Sequence, residues 1–158
     1  MKSLLSAVLL CCSIAIASAQ QRVGNKHIQI INIMETAKND SLAISEVLDT
    51  YFKSIYEGDV QLLGSTFNKG TLLFGDIKGV PYAKTLDQYL DGVANRQSPK
   101  DSGKPYKAEI ISIDVINSIA MAKVSVQMYD FIYNDLLSFH KIDNRWLIVN
   151  KMLTDTSK

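Results

Sequence analysis

Cysteine is almost missing from this chain: there are two, Cys11 and Cys12, both within the first dozen residues. If that stretch is removed on export, the remainder has neither disulfides nor thiolate chemistry. An excess of either charge is lacking too. The 17 basic side chains include Lys2, so residues 20–158 hold 16 basic against 16 acidic groups. Interspersed and balanced, they argue against nucleic acid, which selects a basic face. Past the N-terminus no run is apolar enough to enter a bilayer. Histidine is scarce, and no second histidine or carboxylate stands at ligand spacing around His140. Glycine-rich phosphate loops, nucleophile elbows and paired-metal carboxylates do not occur either. No metal and no cofactor is therefore expected.

What is present begins with Lys2, an apolar run through Cys12 and the small residues of "AIASAQ". A charged start, a short apolar core and Ala17 and Ala19 are the parts of a secretory signal peptide over residues 1–19, cleaved after Ala19. The product is expected to be exported, periplasmic or secreted, and free of the membrane after cleavage. Lipidation of either cysteine is disfavoured, because a lipoprotein signal needs a small residue before the cysteine and Leu10 or Cys11 stands there. Residues 20–40 form an N-terminal extension. Their apolar part, "HIQIINI", fits an edge strand or the lead-in to a helix, with His27 as a solvated linker residue.

From Ser41 to Glu57, Ile44, Val47, Leu48, Tyr51 and Ile55 recur at three- and four-residue steps, one face of a helix. Gly58 ends it. Asp59 caps a second helix carrying Leu62, Leu63 and Phe67. "TLLFGDIKGVPY" reads as a short strand pair broken by Gly75 and Gly79. Thr85 and Gln88 make the capping box of a third helix with Leu86, Tyr89, Leu90 and Val93 on its apolar face. "RQSPKDSGKP" reads as a polar loop.

After Pro105 the period becomes two. Tyr106–Ile116, Ile119–Tyr129, Asp135–Ile142 and Arg145–Leu153 read as antiparallel strands, with Asn117-Ser118 and Asp143-Asn144 as turns. Helices first and long strands second predict an α+β layer structure with the helices on one face of the sheet. Strand parity then places the carboxylate of Asp135 on the same face as Leu137, Phe139, Trp146 and Ile148, the most apolar face in the chain.

The stretch "YFKSIYEGDVQLLGSTF" resembles the first two helices of the nuclear transport factor 2-like (SnoaL-like) superfamily, where a helix ends in Gly-Asp before a leucine- and phenylalanine-bearing second helix. "YNDLLSFHKIDNRWLIVNKML" resembles the closing hairpin of its Putative lumazine-binding subfamily of exported bacterial proteins. The likeness runs from about Ser41 to the C-terminus. It implies a cone of three N-terminal helices packed on a strongly curved antiparallel sheet, with a cavity inside. The superfamily includes ketosteroid isomerase, in which a helix tyrosine and a protonated aspartate donate to an oxyanion and a second aspartate is the base. On that pattern Tyr51 matches the tyrosine and Asp135 the oxyanion aspartate, four residues before Phe139. The base position falls on Gly75, with Asp76 one residue beyond, and a one-residue slip turns a strand side chain to the other face.

Each candidate has two readings. Asp135 is either a carboxyl held in an apolar cavity or a strand-mouth residue bonded by backbone amides of "DFIYN". Tyr51 is a ligand donor or a tethered core tyrosine. Trp146 either stacks on a flat ligand or is core with Ile148 and Met152; Asn150, on the same face, is a candidate donor. Tyr129, Tyr133 and Asp130 could form the cavity lip, and His140 points to the opposite side of the sheet. Tyr51, Asp135, Phe139, Trp146 and Asn150 are thus the candidate ligand-binding residues. If the protein is an enzyme, Asp135, Tyr51 and Asp76 are the catalytic set. Three functions follow: a module binding a hydrophobic or aromatic small molecule, a non-catalytic domain dimerising through an outer face with Lys123, Ser125, Gln127 and Tyr129, or an isomerase- or dehydratase-like enzyme. The absent base favours the first.

Overall fold

The structure, a computed structural model, describes residues 2–157, with side chains from Asn25 onward except His27. The side chains of residues 1–24, Cys11 and Cys12 among them, lie outside the described residues, as does that of His27. The chain divides into two compact units, Met1–Lys38 and Asn39–Lys158. Between Gln20 and Asp40 the backbone is helical, so "HIQIINI" is helix and not an edge strand. Among the described residues no helix is long and apolar enough to cross a membrane.

Helix α1 (Lys2–Glu57) contributes its C-terminal part to the second unit. Ile44, Leu48, Tyr51 and Ile55 make its buried stripe, each at most 2% exposed, as the three- and four-residue spacing requires. Gly58, at φ 72°, ends it. Asp59 caps α2 (Val60–Ser65) by accepting from the Leu62 amide at 2.9 Å. Phe67, expected on this helix, instead opens β1 (Phe67–Ile77), where it lies beside Ile148 in parallel register. The Ile148 amide donates to the Thr66 carbonyl at 2.9 Å, and that pairing takes the chain out of the helix.

A two-residue turn leads to β2 (Val80–Thr85). Helix α3 (Leu86–Ala94) follows with both halves of its capping box formed, Gln88 N to Thr85 Oγ1 at 3.3 Å and Thr85 N to Gln88 Oε1 at 3.0 Å. The stretch expected as plain loop holds one further turn of helix, α4 (Pro99–Ser102), capped by Ser98 and closed by Gly103 at φ 65°. Proline at the first position, a serine cap and glycine after the end are local signals that suffice for a single turn.

Four long strands complete the chain: β3 (Tyr106–Ile116), β4 (Ile119–Met128), β5 (Phe131–Ile142) and β6 (Arg145–Asp155). The curved sheet has the order β2-β1-β6-β5-β4-β3, antiparallel except for β1 beside β6. The last four strands are antiparallel as expected, and the parallel β1–β6 pair brings the early strands against the last one. Asp143 and Asn144 both take positive φ, 49° and 61°, the backbone of a tight two-residue hairpin turn. The β4–β5 connection is only Tyr129-Asp130. "DFIYN" therefore belongs mostly to β5, and Asp135 stands well inside that strand between Val124 and Leu153 rather than at its mouth.

The β5–β6 register shifts at one point. Ser138 pairs with Asn150 but Phe139 with Ile148, so Val149 is an extra residue. A bulge of this kind reverses which residues face inward beyond it. Trp146 and Ile148 are buried before it, Lys151 and Leu153 after it, while Met152 is 53% exposed. Uninterrupted alternation put Asn150 and Met152 inside, and the bulge turns both out.

Gly75 packs where no side chain fits. A Cβ built there would lie 1.7 Å from the Leu153 carbonyl oxygen, and φ is 148°. Gly75→Ala is expected to cost at least about 2 kcal/mol through backbone strain and overpacking, measured by chemical denaturation. An unchanged midpoint would show that β1 and β6 are not held this close.

Candidate functional site

Between the helices and the inner sheet face lies a cavity of about 190 Å³. Helix α1 supplies Tyr51 and Ile55, α3 supplies Tyr89 and Val93, and Arg96 follows just after α3. The sheet adds Tyr82 and Lys84 from β2, Val126 and Met128 from β4, Tyr133 and Asp135 from β5, and Lys151 and Leu153 from β6. Apolar and tyrosine side chains thus make most of the wall.

The charge of Asp135 is answered by Lys151. The Lys151 ammonium donates to Asp135 Oδ2 at 2.6 Å and to the Tyr51 hydroxyl at 2.7 Å, and that hydroxyl is 3.2 Å from the same Oδ2, to which it donates. All three are buried: Tyr51 at 0% exposure, Asp135 at 1% and Lys151 at 5%. The ammonium also lies 5.4 Å from the Tyr51 ring centroid and 5.7 Å from that of Tyr89. An ionised group in such a place is tolerated only when paired and hydrogen-bonded.

Burial by itself pushes the Lys151 pKa down, but attraction to Asp135, with its hydrogen bond, more than offsets this, and the net direction is up. The ammonium therefore keeps its proton. Tyr51 is pushed well above its usual range, first by burial and then by Tyr89 and Asp135, so its phenol stays neutral. Two of the three ammonium donors are committed within the triad. Asp135 Oδ1 is buried without a hydrogen-bond partner among the described residues. One acceptor is thus unsatisfied in the cavity wall.

The other sequence candidates lie elsewhere. Phe139 is buried in the core, and Trp146, likewise buried, donates through Nε1 to Asp40 at 3.0 Å, beside the 2.7 Å Lys141–Asp40 ion pair. Neither lines this cavity. Burial raises the Asp40 pKa, but the bonds from Lys141 and Trp146 outweigh it and hold the carboxyl below its usual range. Asn150, turned outward by the bulge, donates to the Leu72 carbonyl at 3.2 Å. Asp76 accepts from Thr154 Oγ1 at 3.0 Å and from the Gly79 amide at 3.3 Å, securing the β1–β2 turn. Its neighbour Ile77 faces the cavity instead. Of the proposed lip, Tyr133 lines the cavity, Tyr129 donates to the Gln97 carbonyl, and Asp130 pairs with Lys104 on the surface. His140 is exposed.

Sequence reasoning missed Lys151, Arg96, Lys84, Tyr82 and Tyr89 as cavity residues. For Lys151 one signal existed: a carboxylate on an apolar face needs a counter-charge, and Lys151 is two residues from the C-terminal end of the expected strand. Arg96 stood in what read as solvated loop.

Removing one member of this pair strands the other's charge in the core. Lys151→Met is expected to destabilise the fold by about 3–5 kcal/mol, and Asp135→Leu combined with Lys151→Met by clearly less than the two single losses together. Additive losses in chemical denaturation would overturn the coupling. Folded Lys151 and Tyr51 hold their protons above the pH at which the unfolded chain releases them, 10.5 and 10.0. Their contribution is full below about pH 10 and is lost as pH rises further, so Tyr51→Phe should flatten the alkaline limb of stability against pH.

Comparison with known proteins agrees with this architecture. A structure described as an NTF2-like protein of unknown function from Shewanella baltica superposes with TM-score 0.68 at 22% identity, covering 76% of this chain and 96% of that one. A second of the same description, from Methylobacillus flagellatus, gives 0.68 at 24% identity, with 75% and 94% covered. A ketosteroid isomerase-like protein from Erwinia carotovora atroseptica gives 0.59 at 14%, with 74% and 96% covered. At these identities the likeness is one of fold. No curated protein matches the chain. Residues 39–154 match the family described as "Putative lumazine-binding", and the chain belongs to that family.

Proposed function

We propose that this protein is an exported small-molecule-binding module, its ligand held between the helices and the concave sheet face. The observation that carries the reading is the cavity over the Tyr51–Asp135–Lys151 triad: apolar and aromatic walls, with a few fixed polar groups at one end, are the usual make-up of a ligand site. The volume of about 190 Å³ suits one substituted aromatic ring, since an apolar cavity of ~150 Å³ holds benzene. The family's description suggests a flat heteroaromatic ligand, and Tyr82, Tyr89 and Tyr133 offer ring faces for one. Export rests on the N-terminal signal sequence.

Binding is favoured over proton-transfer chemistry for two reasons. Lys151 and Tyr51 are both shifted toward keeping their protons, whereas acid–base catalysis uses groups shifted apart. The position where the isomerase-like pattern wants a base is Gly75, whose environment admits no side chain. Asp135, already accepting from two donors as the counter-ion of Lys151, is an acceptor rather than an oxyanion donor.

A second reading, a dimer surface on the outer sheet face, is favoured by one feature. Phe74, Met152 and Leu136 are aligned across β1, β6 and β5, at 43%, 53% and 39% exposure. Lys123 continues that row and Gln127 lies further along β4, but Tyr129 sits in the β4–β5 turn and is not part of it.

Ligand-observed NMR with lumazine, 4-methylbenzoate and 4-methylbenzamide tests the first reading. At least one should bind the protein, and Val93→Phe, which fills the cavity, should weaken it by about tenfold or more. Failure of all three, or binding indifferent to Val93→Phe, would refute the site. For the second reading, sedimentation should show a dimer that Met152→Lys disrupts. A monomer at the highest soluble concentration removes it.

A further inference from the structure

The charge in the cavity wall is unbalanced. Three cationic side chains, Lys84, Arg96 and Lys151, line it against one carboxylate, Asp135, and Asp135 is already paired with Lys151. Among the described residues neither Arg96 nor Lys84 makes an ion pair.

Arg96 is the more telling of the two. Its Nε and Nη2 are buried and have no hydrogen-bond partner among the described residues. Buried donors in native proteins nearly always find an acceptor, and a guanidinium that finds none requires an explanation. Stacking does not provide it: the guanidinium carbon is 5.9 Å from the Tyr129 ring centroid, which accommodates the charge but accepts no N–H in the guanidinium plane. Burial raises the Tyr82, Tyr106 and Tyr133 phenols, Tyr133 to about 12, and the Arg96 charge opposes that rise at all three. These phenols are neutral at ordinary pH, so none of them neutralises Arg96.

We propose that the ligand of this cavity is a small aromatic carboxylate, its carboxylate held by the Arg96 fork with Lys84 beside it. This deepens the small-molecule reading and rests on it. A planar carboxylate matches two parallel guanidinium N–H groups, the pairing in which arginine is strongest. Lys84 supplies a second positive charge nearby, its ammonium 5.4 Å from the Tyr82 ring centroid. Arg96 and Lys84 are half-exposed, whereas Lys151 and Asp135 are buried. The charged end of the ligand therefore sits at the wetter end and its ring against Val93, Val126 and Met128. A phosphate fits less well, because it brings more charge and more acceptor oxygens than one fork and one ammonium satisfy.

The test compares 4-methylbenzoate with its uncharged isostere 4-methylbenzamide, titrated by calorimetry or NMR against the wild-type protein, Arg96→Gln and Arg96→Lys. On the wild type the benzoate should bind at least about tenfold more tightly, the worth of a hydrogen bond to a charged group. Arg96→Gln should abolish that preference. Arg96→Lys keeps the charge but loses the fork, and should retain only part of the preference; it decides the matter if Arg96→Gln does not fold. Equal binding of both probes to the wild type overturns the carboxylate proposal and leaves the binding module standing. Preference undiminished in either variant overturns the role of Arg96. Failure of both probes to bind overturns this proposal, and the module reading falls with it only if lumazine fails as well.

Discussion

The pairing of Asp135 with Lys151 is the constraint on which the inner half of this fold turns. Three elements distant in sequence meet there, α1 through Tyr51, β5 through Asp135 and β6 through Lys151, over separations of 84, 100 and 16 residues. Alone, either charge would be expelled to solvent or neutralised. Together with the phenol they form a closed set that holds only when the helix is seated on the sheet in one register. Apolar residues of similar volume often stabilise such a place as well or better. A sequence that keeps charge here therefore gains something other than stability, and unsatisfied polar capacity at the base of a cavity is the most direct candidate.

The pair exists because β6 changes face. Without the extra residue at Val149, Lys151 would point to solvent, and Asn150 and Met152 would stand under the helices. The close approach of β1 to the same strand is the counterpart: Gly75 lets the Leu153 carbonyl come in where a Cβ would otherwise stand. One insertion and one missing side chain, both bearing on β6, thus decide which groups enter the cavity and which cannot.

This also explains what was legible beforehand. The α1 stripe, the Thr85–Gln88 capping box and the Asp143-Asn144 turn depend on residues within a few positions of one another, and each formed as its local chemistry required. The family likeness carried the order of elements and put Tyr51 and Asp135 in one cavity, where they are found bonded. What failed was parity over distance. Counting by twos along β6 carries Trp146 to Asn150 and Met152, and nothing in "LIVNKML" marks Val149 as the place where counting stops. The bulge follows from pairing with β5 and β1, and those partners are unknown until the sheet is assembled. Arg96 was illegible for a related reason: a basic residue in a polar stretch reads as solvated until a helix end and two tyrosine-bearing strands close around it.

The same electrostatics separates recognition from reaction. A catalytic pair divides its labour, one group ready to take a proton near neutral pH and another ready to give it. Here burial and mutual attraction move Lys151 and Tyr51 the same way, toward holding protons far into the alkaline range. A triad so settled does not change state when a ligand arrives, which is the condition for a fixed hydrogen-bonding floor. Arg96, by contrast, lies along the same wall with donors unsatisfied, and its electrostatic balance improves only when an anion is added. On the binding proposal, the settled end would orient a ligand and the unsettled end would attract it, a division that suits selective binding.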